Sequence, residues 1–175
     1  MLSLYDITVP NFLRSIEATI VVMQKGQEHL IENYANLDDI INMRLAEDML
    51  PFSAQINIAT HNAVAGIQSL INGEFRPPQT SLDGLDYTGL IDHLTATIDK
   101  LKAFNKDEVD ARFGKPVYFK FSDQSVPFTA ENFMMSFAIP NVYFHTTTVY
   151  DMLRIKGVPL GKREFLGKMQ VGIPE

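Results

Sequence analysis

Apolar residues return every three or four positions in four stretches of this chain, and each stretch predicts a helix turned towards a common core. In the first, Leu13, Ile16, Ile20, Met23, Leu30 and Tyr34 fall on one broad face, with Arg14, Glu17, Lys25, Glu28 and Glu32 largely off it. Pro10 reads as its head, where a missing N–H costs nothing. The second spans about Pro51 to Asn72, with Ile56, Ala59, Ala63, Ile67 and Leu70 as its stripe and Gly73 as a left-handed stop. A short amphipathic piece, Ile40–Leu50, leads into it. The third takes Thr88 as N-cap and turns Leu90, Ile91, Leu94, Ile98 and Leu101 inward. The fourth begins at Thr129, with Glu131 in its first turn, and ends at Lys156, where Gly157, Val158 and Pro159 supply a stop and a terminator.

Between the second and third helices, Gly73–Tyr87 reads as a long loop, because Pro77-Pro78 and Asp83-Gly84 do not propagate a helix. Asn105–Phe113 holds one further turn. After it the period changes to two: Val117, Phe119 and Phe121 alternate with Tyr118 and Lys120 between Pro116 and Pro127, which predicts a short strand or extended strap. Pro140 interrupts the fourth pattern. It removes its own donor and clashes with the carbonyl of Ser136, so a kink or break is expected there. The expected architecture is a single all-α domain over residues 1–175, a four-helix bundle with the strap between helices three and four.

Composition narrows the classes. The 175 residues are 46% hydrophobic and 21% charged, enough apolar material for a full core and too little charge for a disordered chain. Cysteine is absent, which removes disulfides, thiol nucleophiles and Cys-based metal sites. A net charge of −6, with no Lys/Arg run longer than Lys162-Arg163, argues against nucleic acid as a partner. No apolar run approaches a bilayer span, and Met1-Leu2-Ser3-Leu4-Tyr5-Asp6 lacks the pattern of a signal peptide, so a cytoplasmic location without membrane contact is the expectation.

Four histidines are the natural place to look for chemistry. His29 lies with Glu28 and Glu32 on a polar face, and His93 lies off its helix's apolar stripe; both read as surface residues. His145 falls close to the Val142, Val149 and Met152 stripe and so points into the bundle or its rim. It is either a core histidine satisfied by a hydrogen bond or a metal ligand or general base. His61 aligns with Asn57 and Gln68, on a solvent face or a polar pocket; Ile58, Val64 and Ala65 beside it make that helix partly apolar on a second side. The common nucleotide-binding, hydrolase and zinc-protease motifs and the di-iron pattern are all missing.

One resemblance covers essentially the whole chain. Ile139-Pro140-Asn141-Val142-Tyr143-Phe144-His145, then Leu153-Arg154, then Gly157-Val158-Pro159-Leu160-Gly161-Lys162-Arg163-Glu164-Phe165-Leu166-Gly167 resemble the C-terminal signature of an uncharacterised family in the DinB-like, or YfiT-like, superfamily. Asp48-Met49-Leu50-Pro51 with Gln55 and Ile56 is similar to its helix-two pattern. The resemblance implies a four-helix bundle, often a homodimer. It also implies a divalent metal, zinc or nickel, held by one histidine of helix two and an H-x-x-x-H pair of helix four. His61 and His145 match two of those positions; the third is Val149, which cannot ligate.

Three readings follow. One is a ligand-binding bundle whose pocket lies near His145, with Tyr143, Gln55 and Asn57 as further contacts, roofed by the 117–128 strap and the 161–167 tail. Another is a metal-dependent transferase or hydrolase using His61 and His145. The last is a non-catalytic homodimer joined along the second face of helix two.

Overall fold

Ser3, rather than Pro10, starts the first helix. In the computed structural model, which describes residues 2–169 and 171–172, the Ser3 hydroxyl accepts from the Asp6 amide at 3.3 Å and the Asp6 carboxylate accepts from the Ser3 amide at 3.2 Å. That reciprocal box satisfies donors a helix start leaves open, and α1 runs Leu4–Glu32 with Pro10 inside it. Val9, Phe12 and Ile16 are buried on both sides of the proline, so packing holds the helix through one missing hydrogen bond. Tyr34, assigned by its period to the buried stripe, lies beyond the helix at φ 56° and is 97% exposed.

The predicted Ile40–Leu50 helix is present only at Ile40 and Ile41, the end of α2, Leu37–Ile41, which is capped by Asn36; residues 42–51 are turns and irregular chain. α3 spans Phe52–Asn72 and stops at Gly73, whose φ of 78° needs a residue without a side chain. α4, Tyr87–Lys102, is capped by Asp86, whose carboxylate accepts from the Gly89 amide at 2.7 Å, and not by Thr88. α5 is Lys106–Asp110. α1 packs on α4 and on the last long helix, α7 (Ile139–Ile155), and α3 packs on the same two. The core lies between these four.

The expectation of a purely helical domain needs correction. A three-stranded sheet, β1 (Glu74–Phe75), β2 (Pro116–Phe121) and β3 (Gln124–Thr129), joins the end of α3 to the segment leading into α7. β2 and β3 form an antiparallel hairpin from Pro116↔Thr129 to Phe121↔Gln124, and β1 pairs parallel to β2 through Glu74↔Tyr118 and Phe75↔Phe119. The predicted strap is thus one arm of a hairpin. Its alternation is real but fades: Val117 is buried, Phe119 half-buried and Phe121 exposed. Phe75, Phe119, Phe133 and Phe137 stack there with ring centres 5.0–5.8 Å apart, so the sheet plugs an end of the helical core.

Pro140 produces a wide turn instead of a break. α6 (Ala130–Phe133), capped by Thr129, runs into a π-helical segment, Met134–Ala138, and then into α7. The Ile139 amide donates five residues back to Met134, which loosens the coil where Pro140 has no donor to offer. The Asn141 side chain donates to the freed region at the Phe137 carbonyl, 2.8 Å away.

At the α1–α4 crossing the fully buried Tyr87 hydroxyl donates to the Met23 carbonyl at 3.0 Å. A Cβ at Gly26 would stand 2.6 Å from that oxygen and 3.0 Å from Leu153. Gly26→Ala therefore should cost about 2 kcal/mol or more by overpacking, against about 1 kcal/mol for Tyr87→Phe. Urea denaturation of the two variants checks this, and a Gly26→Ala loss below that of Tyr87→Phe would contradict the crossing.

Candidate functional site

A helix wheel places His145 on the inner face of α7, and there it is buried against α3. Its Nδ1 lies 2.6 Å from Gln55 Oε1. The orientation of that amide is fixed from the other side, because Gln55 Nε2 donates to the Leu50 carbonyl at 2.8 Å. A carbonyl only accepts, so Oε1 faces the histidine and Nδ1 carries the proton. Burial pushes the imidazole down from its ordinary 6.5 to about 4. At neutral pH His145 is therefore uncharged, with an unprotonated Nε2.

His61 faces elsewhere. Its Nε2–H donates to the Arg76 carbonyl at 2.7 Å, and its ring meets Phe75 edge-on at 5.4 Å. Gln55 and His61 are six residues apart on α3, about 9 Å along the axis and roughly a third of a turn round it. His61 lines an open groove of about 340 Å³ between α3 and α4 together with Asn57, Gln68 and His93. His93 is not the plain surface residue its position on the wheel indicates: its Nε2–H donates to the Thr60 hydroxyl at 2.9 Å, and that hydroxyl donates to the Ile56 carbonyl. Burial, then the Lys100 charge, lower its pKa. Asn57 donates to the Thr80 carbonyl at 2.7 Å.

Tyr143 belongs to a third place. On α7 it shares a row with Thr147, four residues on, and both face the α1 row of Arg14 and Ser15 across a cavity of about 290 Å³. The cavity is closed by Phe165 and Leu166 of α8, Lys162–Leu166. That short helix is strapped down by several contacts. Glu164 accepts from Lys25 and from the Gly161 amide, at 2.7 and 2.9 Å. The ammonium of Lys25 and then the Gly161 N–H hold its carboxyl down to about 2. Tyr150 donates to the Leu160 carbonyl and meets Phe165 edge-on. Beyond α8, Gly167 turns at φ 64° so close that a Cβ would stand 3.1 Å from Ala18. A wider cleft of about 490 Å³ lies on the far side of α8, where Lys25 pairs with Glu164 and Glu17, Arg163 and Lys168 also line the wall.

Comparison with known proteins settles the family. The model of a domain of unknown function, DUF1993, matches residues 4–166. The chain belongs to the DUF1993 family. A search of curated proteins finds no match. The crystal structure of a DinB family member protein from Shewanella denitrificans is similar in fold, with a TM-score of 0.83 and 25% identity over 98% of this chain and 96% of that one.

In this DUF1993 member the three-histidine arrangement implied by the resemblance does not fit the side chains present. His61 and His145 turn to different faces of α3, each with one ring nitrogen committed to a protein acceptor. Val149 fills the remaining position and is fully buried. Among the described residues no three His, Asp or Glu side chains gather into a metal-sized group. The four residues singled out as ligand contacts divide likewise: Gln55 pairs with His145, Asn57 lines the α3–α4 groove, and Tyr143 lines the α1–α7–α8 cavity. Arg14, Ser15, Thr147 and Phe165 were not singled out by sequence. The signal available for them was the matched spacing of polar rows, Asn11/Arg14/Ser15 on α1 and Tyr143/Thr147 on α7.

The lowered pKa of His145 has a defined sign. The unfolded chain takes the proton first as pH falls, so stability from this group is complete above about pH 6.5 and is lost progressively towards pH 4. The full loss is ~3 kcal/mol. Denaturation measured from pH 7 to 4 should show this slope in the wild type and a flatter one in His145→Gln; parallel curves would contradict the assignment.

Proposed function

We propose that this DUF1993 protein binds a small ligand in the cavity between α1, α7 and α8, using a DinB-like frame without a three-histidine metal centre. The observation that carries the reading is the state of the hydroxyls. Thr19, Thr146 and Thr148 donate back to the helix carbonyls of Ser15, Val142 and Phe144 at 2.8–2.9 Å. Ser15 and Thr147 line the cavity, and among the described residues their hydroxyls make no hydrogen bond to the protein. Phe165, Leu166 and the ring of Tyr143 supply apolar wall. Apolar walls with a few convergent polar groups are what a ligand pocket consists of, and this volume sits at the small end of the range.

His145 supports the site from behind. It is one residue from the cavity-lining Thr146, but faces α3 and fixes α7 against it. Phe165 and Leu166 of the 161–167 tail line this cavity, whereas the 117–128 segment belongs to the sheet and takes no part.

Protein-observed NMR with a fragment library tests the reading. Fragments should perturb the amides of Ser15, Thr147 and Phe165, and Thr147→Trp, which fills the cavity from an exposed position, should weaken them at least tenfold. Hits that map to the His61–His93 groove and survive Thr147→Trp would overturn it.

A further inference from the structure

The cavity is open to acceptors and closed to cations. Its lining contains one charged residue, Arg14, and no Asp or Glu. Arg14 is half-buried, and among the described residues no carboxylate lies within ion-pair distance of its guanidinium. Two acidic residues of the same helix are engaged or line other surfaces. Asp6, which shares an adjoining groove with Arg14, bonds Lys106 at 2.6 Å, and Glu17 lines the cleft beyond Ala18.

Arg14 is also held in place. Its Nη2 donates to Asn11 Oδ1 at 2.9 Å, and Tyr143 donates its only hydroxyl proton to the same oxygen at 2.7 Å. Asn11 thus spends its carbonyl fixing one cation and one phenol, and among the described residues the guanidinium's other N–H groups have no protein acceptor. The Ser15 and Thr147 hydroxyls add two more donors. A guanidinium is a planar fork matched to a carboxylate, and one fixed cation beside apolar walls matches a single negative charge on an apolar body. Resting on the ligand-binding reading above, we infer that the ligand is a small monocarboxylic acid with an aromatic or branched apolar body, and that Arg14, positioned by Asn11, is its carboxylate anchor.

The experiment compares two probes of one shape, 3-phenylpropionate and 3-phenylpropionamide, by titration calorimetry and by amide shifts at pH 7. The acid should bind at least tenfold more tightly than the amide, lose affinity as salt is raised, and shift Ser15, Thr147 and Phe165. Arg14→Gln should bring the acid down to the level of the amide, and Arg14→Lys should restore part of the difference. Asn11→Ala, which frees the guanidinium without removing it, should weaken the acid more than the amide. Equal binding of acid and amide in the wild type, mapped to the cavity, would overturn the carboxylate assignment and leave the cavity reading standing. No cavity binding by either probe, with no fragment binding there, would overturn both. The wild-type comparison needs no variant, so a misfolded Arg14→Gln protein does not shelter the inference.

Discussion

Pro140 cannot donate a hydrogen bond to the turn before it, and the seam between α3 and α7 is arranged around that missing bond. The five-residue π segment absorbs it, with Asn141 and Ser136 side chains donating to the Phe137 and Asn132 carbonyls. The wide turn also resets the helix's phase. Met134, Ala138 and Val142 are all fully buried at successive four-residue steps, a spacing that would drift about 80° around a regular helix. Because the coil is loosened there, one face stays on the core throughout. Downstream, His145, Val149 and Met152 continue that face, while Tyr143 and Thr147 emerge beside α1 and α8. The same register that buries the histidine therefore builds one wall of the cavity.

The Leu50–Gln55–His145 relay is the polar counterpart of that packing. A neutral imidazole with one satisfied N–H is far cheaper to bury than a cation, and its partner is held by a second hydrogen bond, so neither group is free to rotate. The amide of Asn62, two turns along α3 from Gln55, is less complete: Nδ2 donates to the Ile58 carbonyl, while Oδ1 is buried with no partner among the described residues. The ordering in this seam is concentrated at His145. That placement suits a histidine that sets a helix's position more than one that exchanges protons with a ligand.

Elements with long, consistent periods were legible in the sequence. α3 ends where Gly73 stops it, α5 starts behind Asn105, and the last long helix stops at Gly157, because each boundary is set by a local backbone preference. The start of α1 was not: Ser3 and Asp6 form a capping box seven residues or more before the apolar period opens at Leu13, and Pro10 has the stronger local signal. Of the sheet, only β2 was legible. β1 is two residues long inside a proline-rich loop, and β3 contains Pro127, tolerable only because β3 pairs on one side. For the site, the inward face of His145 was readable from its wheel position, but its Gln55 partner lies 90 residues away. The cavity could not be read at all from any single motif. It arises where three helices meet, and its anchor, Arg14, looks like an ordinary solvated residue until α8 folds over α1.

A neutral His145, its Nδ1–H locked onto Gln55, holds α7 in register. Nitrogen-15 spectra of the histidine ring at pH 7 test it most directly. The ring should be the tautomer with a protonated Nδ1 and a bare Nε2. An imidazolium, or a ring protonated at Nε2, would contradict it.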